Sequence, residues 1–296
     1  MKTIVYPWST KSDTNLFYLK ALRQMDINLI DIPFDPRANQ AETKFPSGDL
    51  LLLVDCGLPV IFPELENYRY RKDYVSIDSC HKIDIHQQYC NQYKFDHIWV
   101  AQKHMVNEFN GNASWLPLGA DEETHSFRPD MLIKTPLHRH YLSRPFYQIG
   151  MCAASYKHRK EFKKLFQSNG LTTNFHFRKR FMEEVTVELA KCTIGFNCAA
   201  GFTGEKGKDI PMRVFETMAN GNCMLITNYY KDLGYDDLFK EGIHYANYTC
   251  KEEALDKVNY YVNNPLVAGK IANNSKKYIL ENHTYKIRAK KIIQKL

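Results

Sequence analysis

No run of about 18 apolar residues occurs in this chain, so a membrane-spanning helix is excluded. The first residues, MKTIVYPWST, hold too short an apolar core for a secretory signal and lead straight into a strand. The expectation is therefore a cytoplasmic protein. In that setting the N-x-S/T triplets at Asn112, Asn247, Asn273 and Asn282 read as chance. There is no G-x-G-x-x-G after the first strand and no G-x-x-x-x-G-K-[ST]. This argues against a nicotinamide oxidoreductase or a P-loop NTPase. There is no G-x-S-x-G, which argues against an α/β-hydrolase. The eight cysteines form no C-x-x-C pair, so they read as reduced thiols rather than zinc ligands. Cys80 and His81 are adjacent, a poor spacing for two ligands of one metal, and no metal is expected.

What remains is a chain of 296 residues, 44% hydrophobic and 25% charged, long enough for two domains. Its charge is uneven. Residues 1–143 carry 15 basic and 18 acidic side chains, residues 144–296 carry 25 and 15. The last 22 residues hold seven basic side chains against Glu281. An anionic ligand is thus expected in the second half, although a solvated basic face would have the same composition.

The pattern is one of strands alternating with helices. Strands are expected at 3–6, 27–32, 49–55, 74–78 and 96–101, with helices at 15–25 and around 103–109. The run DLLLLVD at 49–55 reads as a strand buried on both faces. Residues 134–145, with two prolines and little periodicity, read as a linker. The pattern then restarts: strands at 147–151, 191–197 and 223–227, and helices at 160–168, 212–219, 251–263, 267–281 and 287–296. The fold expected is α/β, two doubly wound parallel-sheet domains, with ligands at the carboxyl ends of the strands.

The strongest local signal is residues 201–227, GFTGEKGKDIPMRVFETMANGNCMLIT. A glycine-rich loop carrying Lys206 and Lys208 leads to Asp209 and Pro211, both suited to a helix start. The helix then carries Arg213 and Glu216 on one face, and Asn220-Gly221 stops it. Such a terminus offers free amides and a helix dipole to phosphate, and a carboxylate to hydroxyls. A capped helix with a surface Arg213–Glu216 ion pair has the same spacing.

The segment D-I-P-M-R-V-F-E-x-M-A-x-G, followed by a strand and later by His283-Thr284-Tyr285 and Arg288, resembles the CgeB-like (spore maturation protein-like) glycosyltransferases. These are relatives of the group-1 GT-B sugar transferases. Further matches are Tyr147-Gln148-Ile149-Gly150 with Arg159, the strand end Ile194-Gly195-Phe196-Asn197, the segment WLPLGAD at 115–121, and Asp78 with His81. The likeness runs from about residue 74 to the end. It implies a GT-B fold: residues 1–143 as an acceptor-side Rossmann-like domain, residues 144–283 as a nucleotide-sugar domain, and a helix at 284–296 crossing back to the first.

The resemblance further implies a retaining, metal-independent hexosyl- or pentosyltransferase that uses a UDP-sugar as donor and no cofactor. Donor-binding candidates are Glu216, Arg213, Arg159, Lys208, Gly150 and Asn197; catalytic candidates are His81, Asp78 and Asp209. Glu216 matches the second carboxylate of the group's E-x7-E pair. Lys208 stands where the first is expected, with Asp209 next to it. The competing reading is a nucleotide-sugar-binding protein without activity. The acceptor is a glycan, a protein, a small molecule or, as a minority option, hydroxymethylated bases in DNA. The basic last helix adds an expected polyanion contact, and its apolar positions favour docking on the first domain.

Overall fold

The computed structural model describes residues 1–38, 44–133, 147–177, 183–199 and 208–296. The expected linker at 134–145 and the loop with Lys206 lie outside the described residues. The chain divides into two compact units, one of Met1–Leu118 with Tyr285–Leu296, the other of Gly119–Thr284.

In the first unit, strands β1 (Thr3–Ser9), β2 (Asn28–Phe34), β3 (Leu50–Val54), β4 (Lys72–Ser76), β5 (His97–Val100) and β6 (Ala113–Trp115) form one parallel sheet, ordered β2-β1-β3-β4-β5-β6. Every residue of β3 is buried, as its unbroken apolar run requires. Strand β2 lies at the edge, where Pro33 removes no ladder bond from a central strand. Helix α1 (Asp13–Arg23) starts at Ser12, whose side chain accepts the Asn15 N–H, and buries Phe17, Tyr18, Leu19 and Leu22. Helix α2 (Pro63–Glu66) is one turn, and α3 (Ser79–Tyr93) follows β4. The sequence reading has no helix at 79–93, because α3 buries only Ser79, His86 and Tyr93 and so has no apolar stripe. The helix expected near 103–109 is a 3-10 turn, Lys103–Glu108.

The second unit opens with α4 (Glu122–His125) and α5 (Asp130–Ile133), then alternates β7 (Tyr147–Cys152), α6 (Lys157–Ser168), β8 (Thr173–His176), α7 (Glu183–Ala190), β9 (Cys192–Asn197), α8 (Met212–Asn220), β10 (Met224–Asn228), α9 (Tyr235–Leu238) and β11 (Ala246–Tyr248). Helices α10 (Lys251–Asn263) and α11 (Pro265–Asn282) close it. The sheet is parallel, ordered β11-β10-β9-β7-β8. Its core is aromatic: Phe196 stacks on Tyr248 at 5.1 Å, and Phe162 packs on Phe196 at 5.0 Å. Gly221 stops α8 with φ +81°, a left-handed conformation that favours glycine.

Residues 119–133 belong to the second unit, so the division falls at Leu118 rather than at 143. The bonds that hold them there are specific. Thr186 Oγ1 donates to Thr124 O at 2.7 Å, Lys276 Nζ to Phe127 O at 3.1 Å, and Ala120 N–H to His283 O at 2.9 Å.

The last helix, α12 (Tyr285–Gln294), is part of the first unit. Tyr285 stacks on Phe17 at 5.4 Å, and Ala289 and Ile292 are buried beside it. Arg288, one of the basic side chains of this helix, is buried. Its Nε donates to Pro117 O at 2.7 Å and its Nη2 to Leu118 O at 3.1 Å. Burial lowers its pKa to about 10. Among the described residues, no helix is long and apolar enough to cross a membrane.

Candidate functional site

Parallel sheets of this kind receive ligands outside the carboxyl ends of their strands, where the strand order reverses. In the second unit that place lies between β7 and β9, and Arg159 occupies it. Its Nε donates to Cys198 O, just beyond β9, at 3.0 Å, and its Nη1 to Ala154 O, just beyond β7, at 3.1 Å. The guanidinium also lies 4.8 Å from the Tyr156 ring. Burial lowers the Arg159 pKa, Arg213 adds to the shift, and Asp209 opposes it, so these three charges share one field.

The helix after β9 supplies the rest. Pro211 occupies the cap position of α8, and Asp209, two residues earlier, is buried. Arg213 Nη1 meets Glu216 Oε2 at 2.6 Å, the pair expected from the i,i+3 spacing. The pair is not a surface one, since Glu216 is only 5% exposed. The other oxygen, Oε1, lies 3.4 Å from His125 Nε2. His125 Nδ1 accepts the Asp121 backbone N–H at 2.9 Å, which leaves the ring proton on Nε2, toward Glu216. His125 was missed in the sequence. The available signal was Asp121 as a cap with a histidine four residues on: Asp121 does cap α4, accepting the Thr124 N–H at 2.9 Å.

Lys208 is half-buried, with its ammonium 5.3 Å from the centre of the Tyr230 ring. Two expected donor residues are engaged in packing instead. Asn197 Nδ2 donates to Thr227 Oγ1 at 2.9 Å inside the sheet. A Cβ on Gly150 would sit 2.4 Å from Cys192 Sγ, so the close approach that Gly150 permits is to β9.

In the first unit the carboxyl ends of β3 and β4 carry a different group of side chains. Asp78 caps α3 by position, but its carboxylate makes no capping hydrogen bond. His81 is exposed one turn on, its backbone N–H donating to Asp78 O at 2.9 Å. Two residues that the sequence reading passed over lie nearby. Asp55, just past β3, accepts the Gly57 N–H at 2.9 Å through Oδ1. Its Oδ2 faces His86 Nε2 at 3.9 Å, while His86 Nδ1 pairs with Tyr74 Oη at 2.7 Å. Burial raises the pKa of Asp55 and lowers that of His86 to about 4. Burial, with the Asp55 charge, also raises that of Asp78. The signal for Asp55 was its place at the end of the most apolar run in the chain.

Residues 150–294 match a family model described as glycosyl transferase-like. No curated protein matches the chain significantly in sequence. Among solved structures, HepE of Anabaena, in complex with UDP and glucose, aligns over 100% of this chain and 99% of its own, with a TM-score of 0.64 and 11% identity. HepE has also been solved with UDP-glucose, again with a TM-score of 0.64. Sucrose-phosphate synthase of Thermosynechococcus elongatus aligns over 99% of this chain and 98% of its own, with a TM-score of 0.62 and 9% identity. A glycosyltransferase of Rickettsia africae aligns over 99% and 97%, with a TM-score of 0.56 and 11% identity. The chain thus has two parallel-sheet α/β domains of the GT-B type: the alternating pattern predicted the two domains, and the resemblance implied GT-B.

Proposed function

We propose that this protein is a glycosyltransferase of the CgeB-like kind that moves a sugar from a UDP-sugar to an acceptor hydroxyl. The observation that carries the reading is the set Arg159, Arg213 and Glu216 at the carboxyl ends of β7 and β9, inside the glycosyl transferase-like segment. The UDP and UDP-glucose bound by HepE, a protein of the same fold, support this choice of donor. Negative charge grows on the β-phosphate as the glycosidic bond breaks. Arg159 and Arg213 neutralise it without a resident metal or cofactor, and their planar forks suit phosphate oxygens. Glu216, held by His125 and Arg213, accepts hydrogen bonds from the ribose hydroxyls. Asp209 lies in the same field as the two arginines and faces the transferred sugar, with retention of configuration. Asp78, whose raised pKa suits proton acceptance, and His81 serve the acceptor hydroxyl. The eight free thiols fit a reducing, cytoplasmic setting.

A second reading, a sugar-nucleotide binder without turnover, draws on Lys208, whose ammonium lies against Tyr230 where the family has a carboxylate. Release of UDP from UDP-glucose by the wild-type protein separates the two. Calorimetry with Glu216→Ala tests the site itself. The variant is expected to bind UDP at least tenfold more weakly, since a charged hydrogen bond is worth about 1.5–3 kcal/mol. Binding equal to wild type would remove Glu216 from the ribose.

A further inference from the structure

At the amino ends of β4, β5 and β6, the first unit has a hollow of about 450 Å³. It lies at the opposite end of the sheet from Asp55 and Asp78, so it is distinct from the acceptor residues proposed above. The five residues of β4 alone separate the two by about 16 Å. Five cations line it against one carboxylate, Asp96.

The cations divide into those that build the hollow and those that face out of it. Arg71 forks onto buried Asp73, at 2.9 and 3.2 Å, and its Nη1 donates to Lys295 O at 3.1 Å. Lys72 Nζ points inward, onto Leu65 O at 3.3 Å. Lys295, at the end of the chain, rests over Trp99 and reaches His97 at 3.1 Å. These contacts fix the wall. Asp96 is committed too, with Oδ2 accepting the Lys72 N–H at 2.7 Å. Arg69 and Lys94 remain: both are exposed, and no ion pair among the described residues holds either.

The wall is also aromatic. Its sequence, Tyr68-Arg69-Tyr70-Arg71-Lys72, alternates rings with cations. Tyr70 is 52% exposed, and its ring lies 5.5 Å from that of Tyr68. Cations in a groove with exposed rings between them suit a strand whose charges follow its backbone and whose bases are unpaired. A duplex keeps its bases stacked inside and has no face to offer Tyr70.

We propose that this hollow binds single-stranded nucleic acid without regard to sequence, phosphates on Arg69 and Lys94 and a base on Tyr70. The polyanion contact expected of the basic C-terminal helix is thereby moved. Helix α12 contributes Lys295 to the wall, while the segment before β4 and the end of α3 supply the recognition.

The test is fluorescence anisotropy of the full chain with a labelled twelve-residue oligothymidylate over a salt series, with dextran sulfate as an unlabelled competitor. Wild type is expected to bind saturably at low salt. Tyr70→Ala should weaken oligothymidylate about tenfold or more and leave competition by dextran sulfate unchanged. Arg69→Gln with Lys94→Asn should weaken both ligands. Asparagine is chosen because Lys94 has φ 53°. This double variant should also make the salt slope for oligothymidylate shallower by about 1.4, that is, two phosphates at about 0.7 each. Thermal melts and UDP binding of the same variants should match wild type, which separates this site from the donor site. If wild type fails to bind oligothymidylate, the proposal is overturned. It is overturned as well if Tyr70→Ala binds like wild type, in which case an anionic glycan is the better occupant. Failure of wild type to bind UDP would count against the donor reading alone.

Discussion

The two units share a strand order, with the second strand at one side of the first and the remaining strands at the other, yet the carboxyl ends of their sheets are chemically opposite. In the second unit the place of reversal is filled by Arg159, near Arg213 and the buried Glu216. In the first unit Asp55 and Asp78 follow the ends of β3 and β4 and His86 faces Asp55 from α3, all driven by burial toward their neutral forms. One sheet end gathers two guanidinium groups, the other gathers ionisable groups that burial holds toward neutrality. A common topology therefore sets where a ligand sits, while a few side chains at strand ends decide which ligand it is.

The largest test of this contrast removes a helix rather than a site residue. The first unit depends on α12 from the far end of the chain, whereas the second unit is continuous in sequence. Truncation after Thr284 takes Tyr285 away from Phe17 and Tyr18, removes buried Ala289 and Ile292, and deletes the Arg288 bonds to Pro117 and Leu118. Two large apolar side chains at roughly 1.5–3 kcal/mol each, plus the buried polar bonds, make a loss of about 5 kcal/mol. Thermal unfolding should show the first unit melting at a much lower temperature, with UDP binding by the second retained. An unshifted transition would show that α12 is dispensable.

The second test uses pH. Unfolded His86 takes a proton near its ordinary value of 6.5, native His86 only near 4. Its contribution to stability is complete above pH 6.5 and is lost as pH falls from 6.5 toward 4. The loss is worth about 3 kcal/mol for that separation. Asp55 and Asp78 act with the opposite sign: with raised native pKa values they favour the folded state at low pH, and this support fades as pH rises through those values. His86→Gln should therefore flatten the fall in Tm between pH 6.5 and 4.5, and Asp55→Asn should steepen it. A parallel fall in wild type and both variants would place the acid sensitivity elsewhere.

The same contrast explains what was legible in the sequence. Buried parallel strands announce themselves as apolar runs, so β3, β9 and β10 were found within a residue or two. Helix α8 was found from its Pro211 start and Gly221 stop. Helix α3 and edge strand β8 were not, because neither needs an apolar stripe: α3 buries three residues, and β8 is paired on one side only. The Arg213–Glu216 pair was legible because helical spacing is local. Its third member, His125, sits 91 positions before Glu216, and only the packing of α4 against α8 brings them together. Asp55 and His86 were likewise hidden, since their meeting depends on β3 and α3 being neighbours across the sheet end.

The third test asks whether the cationic end of the second unit is a phosphate site. Arg159→Lys keeps the charge but loses the fork that spans Cys198 O and Ala154 O. UDP affinity should fall by about tenfold, in line with a bidentate charged contact. Uridine, which has no phosphate, should bind as it does to wild type. Equal losses for the two ligands would assign Arg159 to holding β7 and β9 together rather than to the diphosphate.

The smallest effect is expected at His125, and its pattern should be the reverse of that at Arg159. The imidazole is held by the Asp121 backbone N–H and directs its own N–H to Glu216, so in the proposed site its role is to orient the carboxylate rather than to touch the donor. His125→Ala leaves Glu216 with Arg213 alone and should cost about 1 kcal/mol of nucleotide affinity, the net worth of one hydrogen bond. Because Glu216 serves the ribose in this reading, uridine and UDP should lose affinity by the same factor. His125→Gln retains an N–H donor and should recover part of the loss. Calorimetry with both ligands on both variants provides the measurement. If His125→Ala weakens UDP but spares uridine, Glu216 acts through Arg213 on the phosphates, and the division of labour between arginine and glutamate in the second unit would have to be redrawn.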